Sequence, residues 1–190
     1  MDFTGSLNFS SKPETSQTGI PTLISDARRV FGKHPLNNAQ DTLLNGRGFL
    51  LADSPSRVLD WTDPEEIADK HYNEARLLAQ RLLPDFEIWP IKSHTLRNES
   101  ISEHHWIDGI QYGPCVEFVH NDYADTLSSD NKRIEKTFAE IMGMPTDKRV
   151  IGINIWRSVS EDPLERLPLA LCDRTSINPN DLKYSLNPEA

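Results

Sequence analysis

The sequence predicts a mainly β fold with flanking helices, an α+β arrangement, on three observations. Short apolar runs at Cys115–His120, Val150–Trp156 and Leu169–Cys172 have the length of strands. A well-signalled helix starts at Asp63, and a second helical periodicity places Ile134, Phe138 and Ile141 on one face. Gly- and Pro-containing stretches separate these segments.

Residues 1–19 are rich in Ser, Thr and Gly with few hydrophobes, so a disordered tail is expected there, followed by one domain over 20–190. From Pro21 to Gln40 the pattern is weak and suggests loosely packed segments along the domain edge. Gly46-Arg47-Gly48 reads as a turn and Phe49-Leu50-Leu51 as a short strand. In the helix that follows, Asp63 can cap the N-terminus and Pro64 suits the first helical position. Glu66 stands where a capping-box carboxylate reaches back to the cap. Ile67, Tyr72, Ala75, Leu78 and Leu82 supply the apolar face, and Pro84 marks the stop. His71 and Glu74 could share a ligand, but on a charged helix they read as solvated.

Phe86 to Ile91 and Ser93 to Arg97 look extended. His104 and His105 are neighbours, which on a strand face opposite ways, so they read as surface imidazoles. Gly109 to Pro114 makes the turn into Cys115–His120, a strand with Val116, Phe118 and His120 on one face. Gly143 can close the helix containing Ile141, and Pro145 prevents its continuation. Asn178 to Ala190 has no core-forming pattern.

Composition narrows the function. The chain has 190 residues, 37% hydrophobic and 26% charged, which suits one domain with a sizeable core. A formal charge of −9 argues against a nucleic-acid groove, which needs clustered cations to displace counterions. No apolar run approaches the roughly 20 residues that span a bilayer, and no secretory n-region precedes an apolar segment. A cytoplasmic location without membrane contact is therefore expected. Cys115 and Cys172 lie in apolar stretches and read as small buried hydrophobes. Serine-hydrolase elbows, phosphate-binding Gly loops, paired Cys-x-x-Cys zinc sites and dinucleotide fingerprints are absent.

One stretch carries chemistry. His120 and Asp122 are two apart at the end of an apolar run, so on a strand they project to the same side and can meet one ion. An imidazole nitrogen and a carboxylate oxygen make two thirds of the facial triad of non-haem iron(II) oxygenases.

Phe118-Val119-His120-Asn121-Asp122-Tyr123, Asn154-Ile155-Trp156-Arg157 and Pro168-Leu169-Ala170-Leu171-Cys172-Asp173 occur in that order. Together they resemble successive blocks of the hydroxylase/desaturase family typified by the asa-cluster desaturase and the cephem 7-methoxylase subunit. With Gly48-Phe49 and Tyr72-Asn73-Glu74, the resemblance covers roughly Asn45 to Tyr184. It implies a double-stranded β-helix, or jelly roll, that binds iron(II) and the co-substrate 2-oxoglutarate and hydroxylates or desaturates a small secondary metabolite. On that resemblance His120 and Asp122 are metal ligands, while Asn154 and Arg157 line the oxo-acid or substrate pocket. A structural alternative for Arg157 is a buried ion pair with an acid such as Asp173.

Ser158 stands where the family usually has Pro. The family's second histidine ligand and its carboxylate-binding base lie beyond the Pro-Leu-Ala block, and the chain stops at Ala190 before either. A partial jelly roll lacking its C-terminal strands is therefore expected, with an open sheet edge through which the chain could self-associate. Two other readings stay open: an inactive oxygenase-like domain serving as a binding module, and a different metal-binding β-barrel completed by His94 or His104.

Overall fold

The computed structural model describes residues 2–9, 16–31, 38–89, 92–121, 143–145, 147–148, 150–164 and 166–181. In chain order the elements are β1 (Phe3–Leu7), β2 (Ile20–Ile24), α1 (Ala27–Phe31), α2 (Ala39–Leu44) and α3 (Pro64–Glu66). A π-helical turn (Ile67–His71) leads into α4 (Tyr72–Leu82), followed by β3 (Thr95–Arg97), β4 (His105–Ile107) and β5 (Ile110–Gly113). Two short 3-10 turns, Arg174–Ser176 and Pro179–Asp181, come last.

Local chemistry accounts for the helical segment. The Asp63 carboxylate accepts from the amides of Glu65 and Glu66, and Pro64 occupies the first turn, as its fixed φ favours. Glu66 does not close a capping box on Asp63. Its carboxylate accepts instead from the Leu59 and Asp60 amides, at 3.1 and 2.8 Å, and pairs with Lys70 one turn on. The Lys70 ammonium and these amides hold the Glu66 carboxyl at about 2. Leu83 ends the helix directly before Pro84.

The helix serves two apolar clusters. Leu78, Leu82 and Leu83 pack with Ala39 of α2, and Leu50, Phe86 and Ile153 cover them. Ile67, fully buried, packs with Val58 and Ile110, flanked by Trp61, Tyr72, Leu96 and Tyr112. The second cluster ties the π-helical turn to the three-stranded sheet, in which β5 lies between a parallel β3 and an antiparallel β4. Asp108 and Gly109, with φ of 50° and 83°, make the two-residue turn that sets the Ile107–Ile110 register.

Several expectations are corrected. Within the stretch expected to be a disordered tail, Phe3–Leu7 forms β1 and pairs antiparallel with β2. Ile110–Gly113 is a strand, not a turn, because Asp108-Gly109 already reverses the chain. Phe49–Leu51, Cys115–His120, Val150–Trp156 and Leu169–Cys172 lie outside the described β-ladders. The Cys115–His120 run is held by two bonds to Asn8: the Val119 amide donates to its carbonyl, and its side-chain amide donates to Glu117 O. Val116 and Phe118 of this run are 43% and 39% exposed and do not lie in a core. The periodic residues Ile134, Phe138 and Ile141 fall outside the described residues. Gly143, expected to close that helix, has a φ of 66°.

The last apolar block is anchored to the loop after α2. Arg47 pairs with Asp173, while Arg174 donates to the carbonyls of Leu44 and Gly46, at 2.7 and 3.1 Å. Asp173 also caps the 3-10 turn through the Thr175 amide. Asp173 is therefore the partner of Arg47, and the alternative of an Arg157–Asp173 pair is overturned.

Candidate functional site

The sequence-derived site residues sit in different settings. His120 is exposed. Its Nδ1 lies 3.0 Å from the Phe118 carbonyl, and its ring centroid is 4.9 Å from that of Phe118. A carbonyl can only accept, so this bond puts the proton on Nδ1 and the ring's lone pair on Nε2, the orientation common for ligating imidazoles. Asp122, the second expected ligand, lies outside the described residues. Asn154 is exposed, whereas Arg157 is partly buried.

Arg157 points toward a group that sequence reasoning left unassembled. Its Nη1 donates to the Ser54 carbonyl at 2.7 Å, and its Cζ lies 6.0 Å from the Trp61 ring centroid. Trp61 meets His71 edge-on, with centroids 5.1 Å apart. His71 in turn approaches Tyr72 at 5.7 Å and His94 at 6.4 Å. The Tyr72 hydroxyl and His94 Nδ1 share a 2.8 Å hydrogen bond.

Backbone geometry explains why His71 and Tyr72 serve the same group. Consecutive side chains in an α-helix diverge by about 100°. The π-helical turn takes more residues per turn, which narrows that angle at its end, and such turns recur at functional sites. His94 enters from the segment just before β3 and closes the cluster from the sheet side.

Electrostatically this is an imidazole-rich, carboxylate-poor group. Burial lowers the pKa of His71, and the nearby Arg157 charge and His94 lower it further. His94 is lowered by burial, and Tyr72 is raised by it. The acid close by, Glu74, is already engaged. Burial pushes its carboxyl up, but bonds from the Ser56 hydroxyl and the Arg57 amide and side chain bring it below its ordinary value. The expectation of a solvated His71 and Glu74 is thus corrected, because Trp61 and the Ser56-Arg57 segment fold over them.

Among the described residues, His71 Nδ1, His94 Nε2 and Arg157 Nε are buried without a hydrogen-bond partner. Leaving such a group unsatisfied costs about 1–3 kcal/mol, so three in one cluster are a notable concentration. Elsewhere, His104 packs over Gly113 at the end of an open groove of about 570 Å³ lined also by Arg97, Cys115 and Phe118. Among the described residues, no three His, Cys, Asp or Glu side chains are grouped to hold an ion.

A family model described as an oxidoreductase/YMDC permease-like domain matches residues 9–186. The chain belongs to that family. No curated protein and no solved structure matches it significantly. In this oxidoreductase-like domain, no described helix is long and apolar enough to cross a membrane.

Proposed function

We propose that this oxidoreductase-like domain is an iron(II)- and 2-oxoglutarate-dependent hydroxylase or desaturase of a small secondary metabolite, built on a jelly-roll core. The observation that carries the reading is the His120 ring, tied through Nδ1 to the Phe118 carbonyl within the Phe118–Tyr123 block. That orientation fits a metal donor, since Nε2 carries the lone pair. Asp122, two residues on, would add a carboxylate oxygen.

Arg157 would pair with the carboxylate of the oxo acid, because its guanidinium is fixed by Ser54 and covered by Trp61. Asn154, three residues earlier, would add an amide to the same pocket. Iron(II) held there would, with 2-oxoglutarate and oxygen, supply the oxidant needed to attack an unactivated C–H bond. The protein's part is to orient the acid, hold the imidazole in one tautomer and shield the reacting carbon from water.

Succinate formation tests this reading. Protein supplied with iron(II), 2-oxoglutarate and oxygen is expected to release succinate, and to do so less after His120→Ala. Iron and 2-oxoglutarate binding without succinate would support a domain that binds ligands but does not turn over.

A further inference from the structure

His71, His94 and Arg157 are far apart in sequence, yet each carries a buried, unpartnered nitrogen within one cluster of aromatic rings. We infer that these three residues form a binding site for the carboxylate of a small organic acid. Arg157 is fixed on one side by the Ser54 carbonyl, which leaves its Nε edge toward the interior, the edge that takes a carboxylate oxygen. Tyr72 lies 2.8 Å from His94 Nδ1, and in the inferred site its hydroxyl donates there, which places the imidazole proton on Nε2 and makes His94 a second donor. His71 Nδ1 is buried without a partner; a proton on it would make a third donor, and a carboxylate has enough lone pairs to accept from all three.

The same three residues argue against a metal ion. Arg157 is a permanent positive charge beside His71, close enough to disfavour a second charge on that ring. A cation between the imidazoles would meet the same repulsion. Glu74, the acid that could offset it, already accepts from Ser56 and Arg57.

This inference deepens the proposed function and rests on it only for the choice of 2-oxoglutarate as one probe. The test is a titration of the wild-type chain, in chelator and without added metal, with acetate, 2-oxoglutarate and inorganic phosphate. Imidazole nitrogen resonances of His71 and His94 report binding. Saturable shifts at both rings are expected with acetate or 2-oxoglutarate, with affinity falling about tenfold or more in Arg157→Met and less in Arg157→Lys. Absence of saturable shifts with either carboxylate, tighter binding of phosphate, or equal affinity in Arg157→Met would overturn the site. So would zinc shifting both rings while the carboxylates leave them unmoved. Acetate binding without 2-oxoglutarate binding supports the site and counts against the proposed co-substrate alone, and loss of iron binding in His120→Ala is read separately.

Discussion

The Tyr72 hydroxyl lies 2.8 Å from Nδ1 of His94, so one hydrogen bond joins the start of α4 to the segment that leads into β3. Removing it in Tyr72→Phe leaves a partly buried His94 with a second unsatisfied nitrogen. A loss of about 1 kcal/mol is expected in denaturant unfolding, with His94 Nδ1 and Nε2 resonances moving toward tautomer averaging. An unchanged His94 spectrum would mean that the bond does not set the ring.

The two lowered histidines make stability depend on pH in a definite direction. A base whose pKa is depressed on folding binds fewer protons folded than unfolded, so its contribution is present above the unfolded pKa and is lost as pH falls below it. For His71 and His94 that loss begins near pH ~6.5 and continues downward. Tm should fall between pH 7 and about 5, and the double variant His71→Gln/His94→Gln should flatten that part of the curve. The Glu66 carboxyl, held at about 2, acts in a separate window, since its stabilising charge is lost only as pH falls from its ordinary range toward that value.

Asp63→Ala removes the acceptor of two orphan amides at the start of α3. About 1 kcal/mol of stability should be lost, and exchange of the Glu65 and Glu66 amides should quicken. The His71 resonances should broaden as well, because the cap sets the helical turn that carries His71.

The Pro168–Asp173 block is fastened by Asp173 and Arg174 to the loop at Leu44–Gly48. Asp173→Ala should speed hydrogen exchange at the Thr175 amide, which Asp173 accepts, and at the Arg174 amide, which donates to the Arg47 carbonyl. Protection retained at both positions would show that Arg174 alone anchors the block.

What the sequence made legible was local. Asp63, Pro64 and the apolar spacing of Ile67, Leu78 and Leu82 specify a helix through short-range chemistry, and the helix is there. Asp108-Gly109 between Ile107 and Ile110 is an equally local hairpin signal, but placing the turn at Gly109–Pro114 missed it. Cys115–His120 shows the opposite failure, since an apolar run has no way of stating whether a neighbouring strand will pair with it, and here it meets Asn8 instead. Glu66 followed the cap rule in type but found better donors in Leu59 and Asp60.

The buried cluster was not legible for a related reason. His71 looked solvated because its helix neighbours are charged, and nothing local announces that Trp61 and His94 will cover it. The Trp-Arg block singles out Arg157, but Asp173, the acid offered as its structural alternative partner, is held by Arg47, and Arg157 bonds to the Ser54 carbonyl. A turn with π geometry beside a histidine and a tyrosine is the structural sign that joins these residues.

The most direct measurement is iron(II) content after anaerobic loading and desalting, compared between the wild-type chain and His120→Ala. The account predicts iron retained by the wild type and lost from the variant, with both folded by circular dichroism. Equal iron in the two proteins, or none in the wild type, would contradict it.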